Sequence, residues 1–292
     1  MIKHPKTLQA SGLITPALAC LALTVSTSQG ALVSAFGLEE SSGTTVSQSV
    51  VGGAPDGTIN LGTGSATWVP GIAPGSSQAL ALTGNARIEI GTSTVWNGVD
   101  GFSVSAWIQP TAFAGSGHSA DSIFWMGLSS GSGRMVLQMN DLADVRTGGR
   151  RDGATTTGSF NTDLTTGTNI TGTSNGSAGD PLVLNDIYHL AATADYTTGL
   201  LSLYIDGALI SSRTITGWGT GSSSPTESVV MRLGSNASGG ENYTGTIDDV
   251  RIFNTALSAS EVGALAAPEP SVALLGALGL FGWMGGRRRE HA

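Results

Sequence analysis

Short segments in which apolar and polar residues alternate make up most of the middle of the chain. In FSVSAWIQP the side chains of Phe102, Val104, Ala106 and Ile108 fall on one face, and Trp107 falls on the other. Similar alternation appears in ARIEIG (86–91), LLSLYID (200–206), SVVMRLG (228–234) and TIDDVRIF (246–253). A period of two predicts half-buried β-strands. Stretches rich in Gly, Asn and Asp separate the segments and indicate turns.

Helical periodicity is nearly absent from the same region. The main exception is SASEVGAL, in which Ser258 and Glu261 have the spacing of a capping box and predict a short helix. Strands with one apolar face need a second layer to bury that face. We therefore predict an all-β fold with two antiparallel sheets packed as a jelly-roll sandwich. The polar segment 147–180 predicts a long insertion or an irregular hairpin.

The first thirty residues have the pattern of a secretory signal peptide with a signal helix. Lys3 and Lys6 precede an apolar stretch from Leu13 to Val25, and Ser28 and Gly30 supply the small residues of a cleavage site before residue 31. The only cysteine of the chain, Cys20, lies within this segment. Export through the Sec machinery therefore leaves a domain without disulfides, which a chain of this size can tolerate.

The charge of the remaining domain narrows the choice of partners. Between residues 31 and 267 the chain has eight arginines, no lysine and nineteen acidic residues, a formal charge of about −11. Such a surface repels phosphate backbones, so nucleic acid is not an expected partner. The same charge disfavours acidic polysaccharides unless divalent cations bridge the two.

Catalytic patterns are weak in this sequence. Two matches to GxSxG, at 127–131 and 172–176, lack the strand–turn–helix context of a nucleophile elbow. A glycoside hydrolase needs two carboxylates facing one cleft, yet no predicted strand carries two acids at even spacing. Binding is better supported, because Trp96 and Trp218 lie near Gly-, Ser- and Asn-rich turns, where exposed indoles could stack on sugar rings. We expect Trp218 to be exposed.

Three segments together resemble a known family. FSVSAWIQP, YHLAATADYTTGLLSLYIDGALI and GTIDDVRIFNTALSASEV are similar in order and content to the laminin-G-like (concanavalin A-like) jelly-roll domains of bacterial surface proteins. The resemblance covers residues 31–266 and implies a sugar- or protein-binding role. It also implies calcium at the sandwich rim, for which Glu39, Glu40 and Asp248 are the candidate ligands. Gln48 stands where the family often has Asp, and Asp248 could instead cap a turn or pair with Arg251.

The end of the chain resembles a second, separate pattern. Pro268, Glu269 and Pro270 precede an apolar segment predicted to be a helix over 272–286, and Arg287, Arg288 and Arg289 follow it. This order over 267–292 resembles the PEP-CTERM sorting signal of Gram-negative bacteria, whose partner is an exosortase. The apolar run is short for a permanent membrane span, so we expect transient insertion in the inner membrane, with the arginines on the cytoplasmic side.

These patterns favour one function and leave two alternatives open. The favoured function is a non-catalytic module that binds glycan or protein, on a protein exported to the cell surface or the biofilm matrix. The first alternative is a glycoside hydrolase or lyase on the same fold. The second is a structural matrix component that recognises no specific ligand.

Overall fold

A computed structural model describes residues 31–113, 120–130, 133–140, 143–151, 164–165, 182–215, 217–218 and 221–267. Within these residues the chain forms sixteen strands and one helix. In chain order they are β1 (Leu32–Phe36), β2 (Thr45–Val46), β3 (Gly57–Asn60), β4 (Ser65–Pro70), β5 (Gln78–Thr83), β6 (Arg87–Ser93), β7 (Gly101–Pro110), β8 (Ala120–Gly127), β9 (Gly133–Asn140), β10 (Val145–Gly149), β11 (Leu164–Thr165), β12 (Tyr188–Asp195), β13 (Leu200–Ile205), β14 (Ala208–Thr214), β15 (Val229–Leu233), β16 (Gly245–Phe253) and α1 (Ala259–Ala266).

The strands form two antiparallel sheets. Sheet A has the order β14-β13-β12-β7-β16-β5-β4, and β1 also pairs with β16. Sheet B has the order β11-β10-β9-β8-β15-β6-β3-β2. Strands distant in sequence are neighbours in both sheets, as in a jelly roll. The predicted all-β sandwich is confirmed.

The core lies between the two sheets and contains the apolar faces predicted from alternation. Phe102, Val104, Ala106 and Ile108 of β7 are fully buried there. Within the same sheet they neighbour Leu190 of β12 and two isoleucines of β16. The side chains of Ile88 and Ile90 in β6 enter the same core from sheet B. Burial of this alternating face is the main driving force for the two layers to pack.

The predicted helix forms α1. Its N-cap is Ser258, whose hydroxyl accepts a hydrogen bond from the Glu261 N–H, while the Glu261 carboxylate accepts one from the Ser258 N–H at 2.7 Å. This reciprocal pair satisfies donors that the first turn would otherwise leave unpaired. The capping box read from the sequence is therefore confirmed.

The predicted insertion starts later than the composition suggests. Thr147 and Gly149 belong to β10, which pairs with β9 along its whole length. Polar, glycine-rich composition indicated a loop, but neighbouring strands on both sides supply the hydrogen bonds that make this segment a strand. The two residues of β11 also pair with β10, and most of the remaining insertion lies outside the described residues.

Candidate functional site

The outer face of sheet A has a covered half and an open half. Helix α1 packs on the covered half, where Val262 and Leu265 meet Ala191, Tyr204 and Phe253. This second, smaller apolar cluster lies on the opposite side of sheet A from the main core. The open half consists of the parts of β7, β12 and β16 around Trp107, together with the loop that joins β4 to β5, and Trp107 and Arg251 are partly exposed there.

Three side chains lie in a row across the open half. Trp107 of β7 stands directly opposite His189 of β12 on one side and Asp248 of β16 on the other. The indole and imidazole ring centroids are 5.3 Å apart. Trp107 is partly exposed, whereas His189 and Asp248 are buried. The indole is therefore the aromatic surface that this row presents to solvent.

The loop at residues 71–77 is held at both ends by carboxylates. Asp248 Oδ2 accepts hydrogen bonds from the N–H groups of Ile72 and Ala73, each at 2.9 Å. Glu39 accepts from the N–H of Ser77 at 3.1 Å and also from the Ser77 hydroxyl. Hydrogen bonds to ionised carboxylates are stronger than neutral ones, so these two acids fix the loop against β16 and the segment that follows β1.

A cavity of about 230 Å³ opens beside this loop, and we call it the 71–77 cavity. It is lined by Gly37, Glu39, Ala73, Pro74, Gly75, Ser76, Asp249 and Arg251. Asp249 Oδ1 accepts a hydrogen bond from Arg251 Nε at 2.9 Å. A bulge interrupts the pairing of β16 with β7 between Asp248 and Arg251, and Asp249 has a left-handed backbone with φ 42°. The bulge brings Asp249 and Arg251 to one cavity.

Burial and hydrogen bonding set the charge states around the cavity. Slight burial acts to raise the pKa of Glu39, but hydrogen bonds from Ser77, Ser76 and Gln78 outweigh it and lower that pKa. Burial raises the pKa of Asp248, although the N–H groups of the loop oppose the change. Burial, assisted by the Arg251 charge, lowers the pKa of His189 to about 4. His189 is therefore neutral at neutral pH.

The three predicted calcium ligands do not form one ligand group. Glu39 and Asp248 hold opposite ends of the 71–77 loop, whereas Glu40 Oε1 accepts a hydrogen bond from the Ser47 N–H at 2.7 Å. Among the described residues, no cluster of three or more His, Cys, Asp or Glu side chains could hold a metal ion. Calcium prefers six to eight oxygen ligands. Two carboxylate oxygens of these residues, Glu40 Oε2 and Asp248 Oδ1, are buried without a hydrogen-bond partner, and they belong to side chains that bind different segments.

The ion pair with Arg251 that the sequence suggested for Asp248 is formed by the adjacent Asp249. Asp248 binds the backbone of the 71–77 loop, and it is Asp249 that pairs with Arg251. Strict alternation would place the two adjacent aspartates on opposite faces of β16. The bulge removes that alternation, and this local irregularity could not be read from the sequence.

The two predicted ligand-binding tryptophans are neighbours, but neither is exposed. The Trp96 indole N–H donates to Tyr196 Oη at 3.1 Å, and the Trp218 ring lies 5.3 Å from the Tyr196 ring. Both indoles are buried in the core. The expected exposure of Trp218 is therefore wrong, because its ring packs inward against Tyr196. Neither indole presents a face on which a sugar ring could stack.

Trp107 is a partly exposed aromatic residue that was not among the predicted ligand-binding residues. A signal for it was present, since Trp107 occupies the polar face of an alternating segment whose opposite face forms the core. A large apolar side chain on such a face is informative when it stays accessible to solvent. Its neighbours on β12 and β16 could be identified only from the strand register.

Sheet B also has an open polar area on its outer face. A cavity of about 500 Å³ is lined by Thr58, Glu89, Ile90, Gly91, Val230 and Arg232. Glu89 stands opposite Arg232 and Thr58 on the neighbouring strands. Trp125 lies next to Arg232 in the same row, but its indole is buried. This area offers charged groups without an accessible aromatic ring.

The two antiparallel sheets, packed face to face with strands distant in sequence as neighbours, define a concanavalin A-like β-sandwich. The sequence profile of the concanavalin A-like lectin/glucanases superfamily matches residues 82–263, more than half of the chain. The chain therefore belongs to this superfamily. A comparison with curated protein sequences finds no match.

Several solved structures share the fold at low sequence identity. Domain 4 of AbnA, a GH43 extracellular arabinanase from Geobacillus stearothermophilus solved with arabinotriose, has 18% identity and a TM-score of 0.52, covering 82% of this chain and all of the domain. The binding domain of botulinum neurotoxin serotype G has 17% identity and a TM-score of 0.54, covering 80% of this chain and 50% of that one. A Trypanosoma rangeli sialidase has 13% identity and a TM-score of 0.53, covering 82% and 33%.

These similarities establish the fold of the described domain. The expected laminin-G-like resemblance is confirmed by the superfamily match. The two terminal segments, 1–30 and 268–292, lie outside the described residues. Within the described part of the chain, α1 is too short to cross a bilayer and no other helix is present.

Proposed function

We propose that this domain is a non-catalytic glycan-binding module and that the 71–77 cavity with Trp107 is its binding site. The observation that carries the proposal is the placement of a partly exposed indole, an arginine and a carboxylate on one open sheet face. Sugar rings stack on aromatic faces through their C–H groups. The sugar hydroxyls form hydrogen bonds with charged and polar groups that the protein holds in fixed positions. Membership of the lectin/glucanases superfamily supports glycan binding, as does the arabinotriose bound to the arabinanase domain.

The positions of the polar groups are preorganised. Glu39 is held by the loop backbone, and Arg251 is held by Asp249 at 2.9 Å. A ligand therefore meets donors and acceptors that are already ordered, which lowers the entropy cost of binding. The neighbouring His189 is neutral and buried, so it supports the Trp107 ring without adding charge.

Replacing Trp107 or Arg251 with alanine is expected to weaken glycan binding about tenfold or more. Trp107→Ala removes the stacking surface, and Arg251→Ala removes the cationic donor beside the cavity. Binding is measured on a glycan array and then by titration calorimetry with the best ligand. Arg232→Ala, which removes an arginine from the sheet B cavity, is the matched control and is expected to bind as the unmodified chain does.

The same measurements separate this proposal from its alternatives. Equal losses for Arg232→Ala and Arg251→Ala would show that the site is not the 71–77 cavity. Failure to bind any glycan or matrix extract would favour a structural matrix component. Loss of binding in the presence of a chelator would assign a role to calcium near Asp248, and unchanged binding would remove calcium from the proposal.

A glycoside hydrolase is the second candidate, and one observation favours it. Glu39 has a lowered pKa and Asp248 a raised pKa beside the same loop, as in acid and nucleophile pairs. However, Asp248 is fully buried and binds the loop backbone, which leaves it no direct contact with a substrate. If the protein releases reducing ends from a bound polysaccharide, and Glu39→Gln abolishes that release, the function is catalysis rather than binding alone.

We further propose that the protein is exported by the Sec machinery and sorted by an exosortase to the surface or biofilm matrix of a Gram-negative bacterium. The support is the sequence of the terminal segments, from Lys3 to Gly30 and from Pro268 to Arg289. Mass spectrometry of the native secreted protein is expected to find a new N-terminus at Ala31 and loss of the arginine cluster. Recovery of a secreted protein with both termini intact would contradict the proposed export and sorting.

A further inference from the structure

One end of sheet A exposes a group of large apolar side chains. Val183, Leu184, Ile187 and Leu209 are each 37–56% exposed. The first three lie in the segment that leads into β12, and Leu209 lies at the start of β14. Strands β12 and β14 begin at this end, and β7 and β13 finish there. We call these four residues the apolar rim.

The backbone of the apolar rim is held by hydrogen bonds. The Asn185 N–H donates to the Pro110 carbonyl at 2.7 Å, and the Gln109 side chain donates to the Asn185 carbonyl at 2.8 Å. The Val183 N–H donates to Tyr188 Oη at 2.9 Å. These contacts tie the segment to β7 and β12 while the apolar side chains point outward. Ordered exposure of several apolar groups is characteristic of an interaction surface.

Helix α1 brings the chain to the same end of the molecule. The residue before its N-cap, Leu257, donates its N–H to Ser103 Oγ at 2.9 Å, near the start of β7. At the other end of the helix, a Cβ atom placed on Gly207 would lie 3.1 Å from Ala266 Cβ. Gly207 is in the turn between β13 and β14. The helix therefore crosses the outer face of sheet A, and Ala266 lies at the end of the sheet that carries the apolar rim.

The sequence that follows places an apolar run close to this exit. Four residues, 268–271, separate Ala267 from Val272, where the run begins. Five Cα steps of an extended chain reach at most about 18 Å. The run of thirteen residues from Val272 to Met284 is shorter than the roughly 20 residues that a stable span needs. A membrane that receives this run is therefore within reach of the domain end that carries the apolar rim.

We propose that the apolar rim docks on the surface of a lipid bilayer and supplements the short apolar run at the C-terminus. Apolar side chains that are exposed and ordered gain free energy when they enter the acyl boundary of a membrane. Two exposed acids, Asp186 and Asp206, flank these side chains. Their negative charges repel anionic lipid headgroups, so the apolar rim is better suited to a membrane with zwitterionic headgroups. The proposal depends only on the apolar sequence after Ala267 and not on which enzyme processes it.

Site-specific fluorescence distinguishes the two ends of the sandwich. In the full chain carrying Cys20→Ser, a cysteine is introduced by Leu184→Cys or by Val51→Cys and labelled with an environment-sensitive dye. Val51 is also apolar and fully exposed, but it lines a cavity with Leu32 and Asn254 at the opposite end of sheet A. With phosphatidylcholine vesicles, the dye at 184 is expected to shift to the blue and to be quenched by lipid-attached quenchers. The dye at 51 is expected to remain unchanged.

A substitution series measures the contribution of the apolar rim. The full chain with Val183→Ser, Leu184→Ser and Ile187→Ser is expected to partition into phosphatidylcholine vesicles about tenfold less than the parent, with an unchanged Tm. Val51→Ser is the control and is expected to partition as the parent does. Equal partitioning of all three proteins, equal dye responses at 184 and 51, or self-association through position 184 without vesicles would overturn the proposal.

Discussion

Replacing Trp96 with alanine is expected to lower the free energy of unfolding by about 3–5 kcal/mol. The indole is fully buried, donates its N–H to Tyr196 Oη, and lies edge-on to the Tyr196 ring at 6.4 Å between centroids. The Arg134 guanidinium lies 5.7 Å from its ring centroid. The substitution therefore removes core volume, a hydrogen bond, an aromatic pair and a cation–π contact in one step.

The measurement is denaturant unfolding followed by circular dichroism, with Trp107→Ala as the control. Both changes remove one indole, but Trp107 is partly exposed. Trp107→Ala is therefore expected to lower the free energy of unfolding by only about 1 kcal/mol. The two variants should also separate in glycan binding, because only Trp107 presents a ring to solvent. A Trp96→Ala protein with full stability and no glycan binding would contradict the assignment of Trp96 to the core.

Replacing Glu227 with alanine is expected to destabilise the domain by about 3 kcal/mol. Its carboxylate accepts hydrogen bonds from Arg134 Nε at 2.6 Å and Nη2 at 2.8 Å. The Arg134 side chain is 1% exposed and that of Glu227 is 17% exposed. Removing the carboxylate takes away two charge-assisted hydrogen bonds to a buried guanidinium, and the low local dielectric makes their loss costly.

Glu89→Ala provides the comparison in a more exposed setting. Glu89 is 37% exposed and pairs with Arg87 at 2.7 Å. Water and salt screen such a pair, so the expected loss is about 1 kcal/mol or less. Thermal unfolding should therefore show a decrease in Tm for Glu227→Ala that is several times the decrease for Glu89→Ala. Similar decreases would indicate that burial does not strengthen the Arg134–Glu227 pair.

Local patterns were sufficient to predict much of the architecture. Alternation in 102–108 and 86–90 correctly assigned the core faces of β7 and β6, and Ser258 with Glu261 located the helix. Both predictions succeed because the relevant interactions lie within one strand or one helical turn. The segment at Thr147 shows the limit of such patterns, since its strand pairs with neighbours that its own composition does not reveal.

Predictions for the candidate site were less successful because they depended on long-range contacts. Trp218 and Trp96 both lie near polar turns in sequence, yet Tyr196 brings them together inside the core. Asp248 binds a loop more than 170 residues away in sequence, and Asp249 takes the ion pair expected for it. Which of two adjacent acids faces a cavity is decided by a bulge in the pairing of β16 with β7.

The sequence by itself determined that the described domain is a two-layer β-sandwich that carries a short capped helix, because side-chain periodicity and capping are local properties of the chain. Its terminal segments also carry the prediction of export and sorting. Only the tertiary structure decided that Trp107 is accessible while Trp96 and Trp218 are buried, which carboxylates hold the 71–77 loop, and that α1 brings the chain to the apolar rim. Those features depend on strand register, a bulge and packing between distant segments, and none of these is encoded in a short stretch of residues.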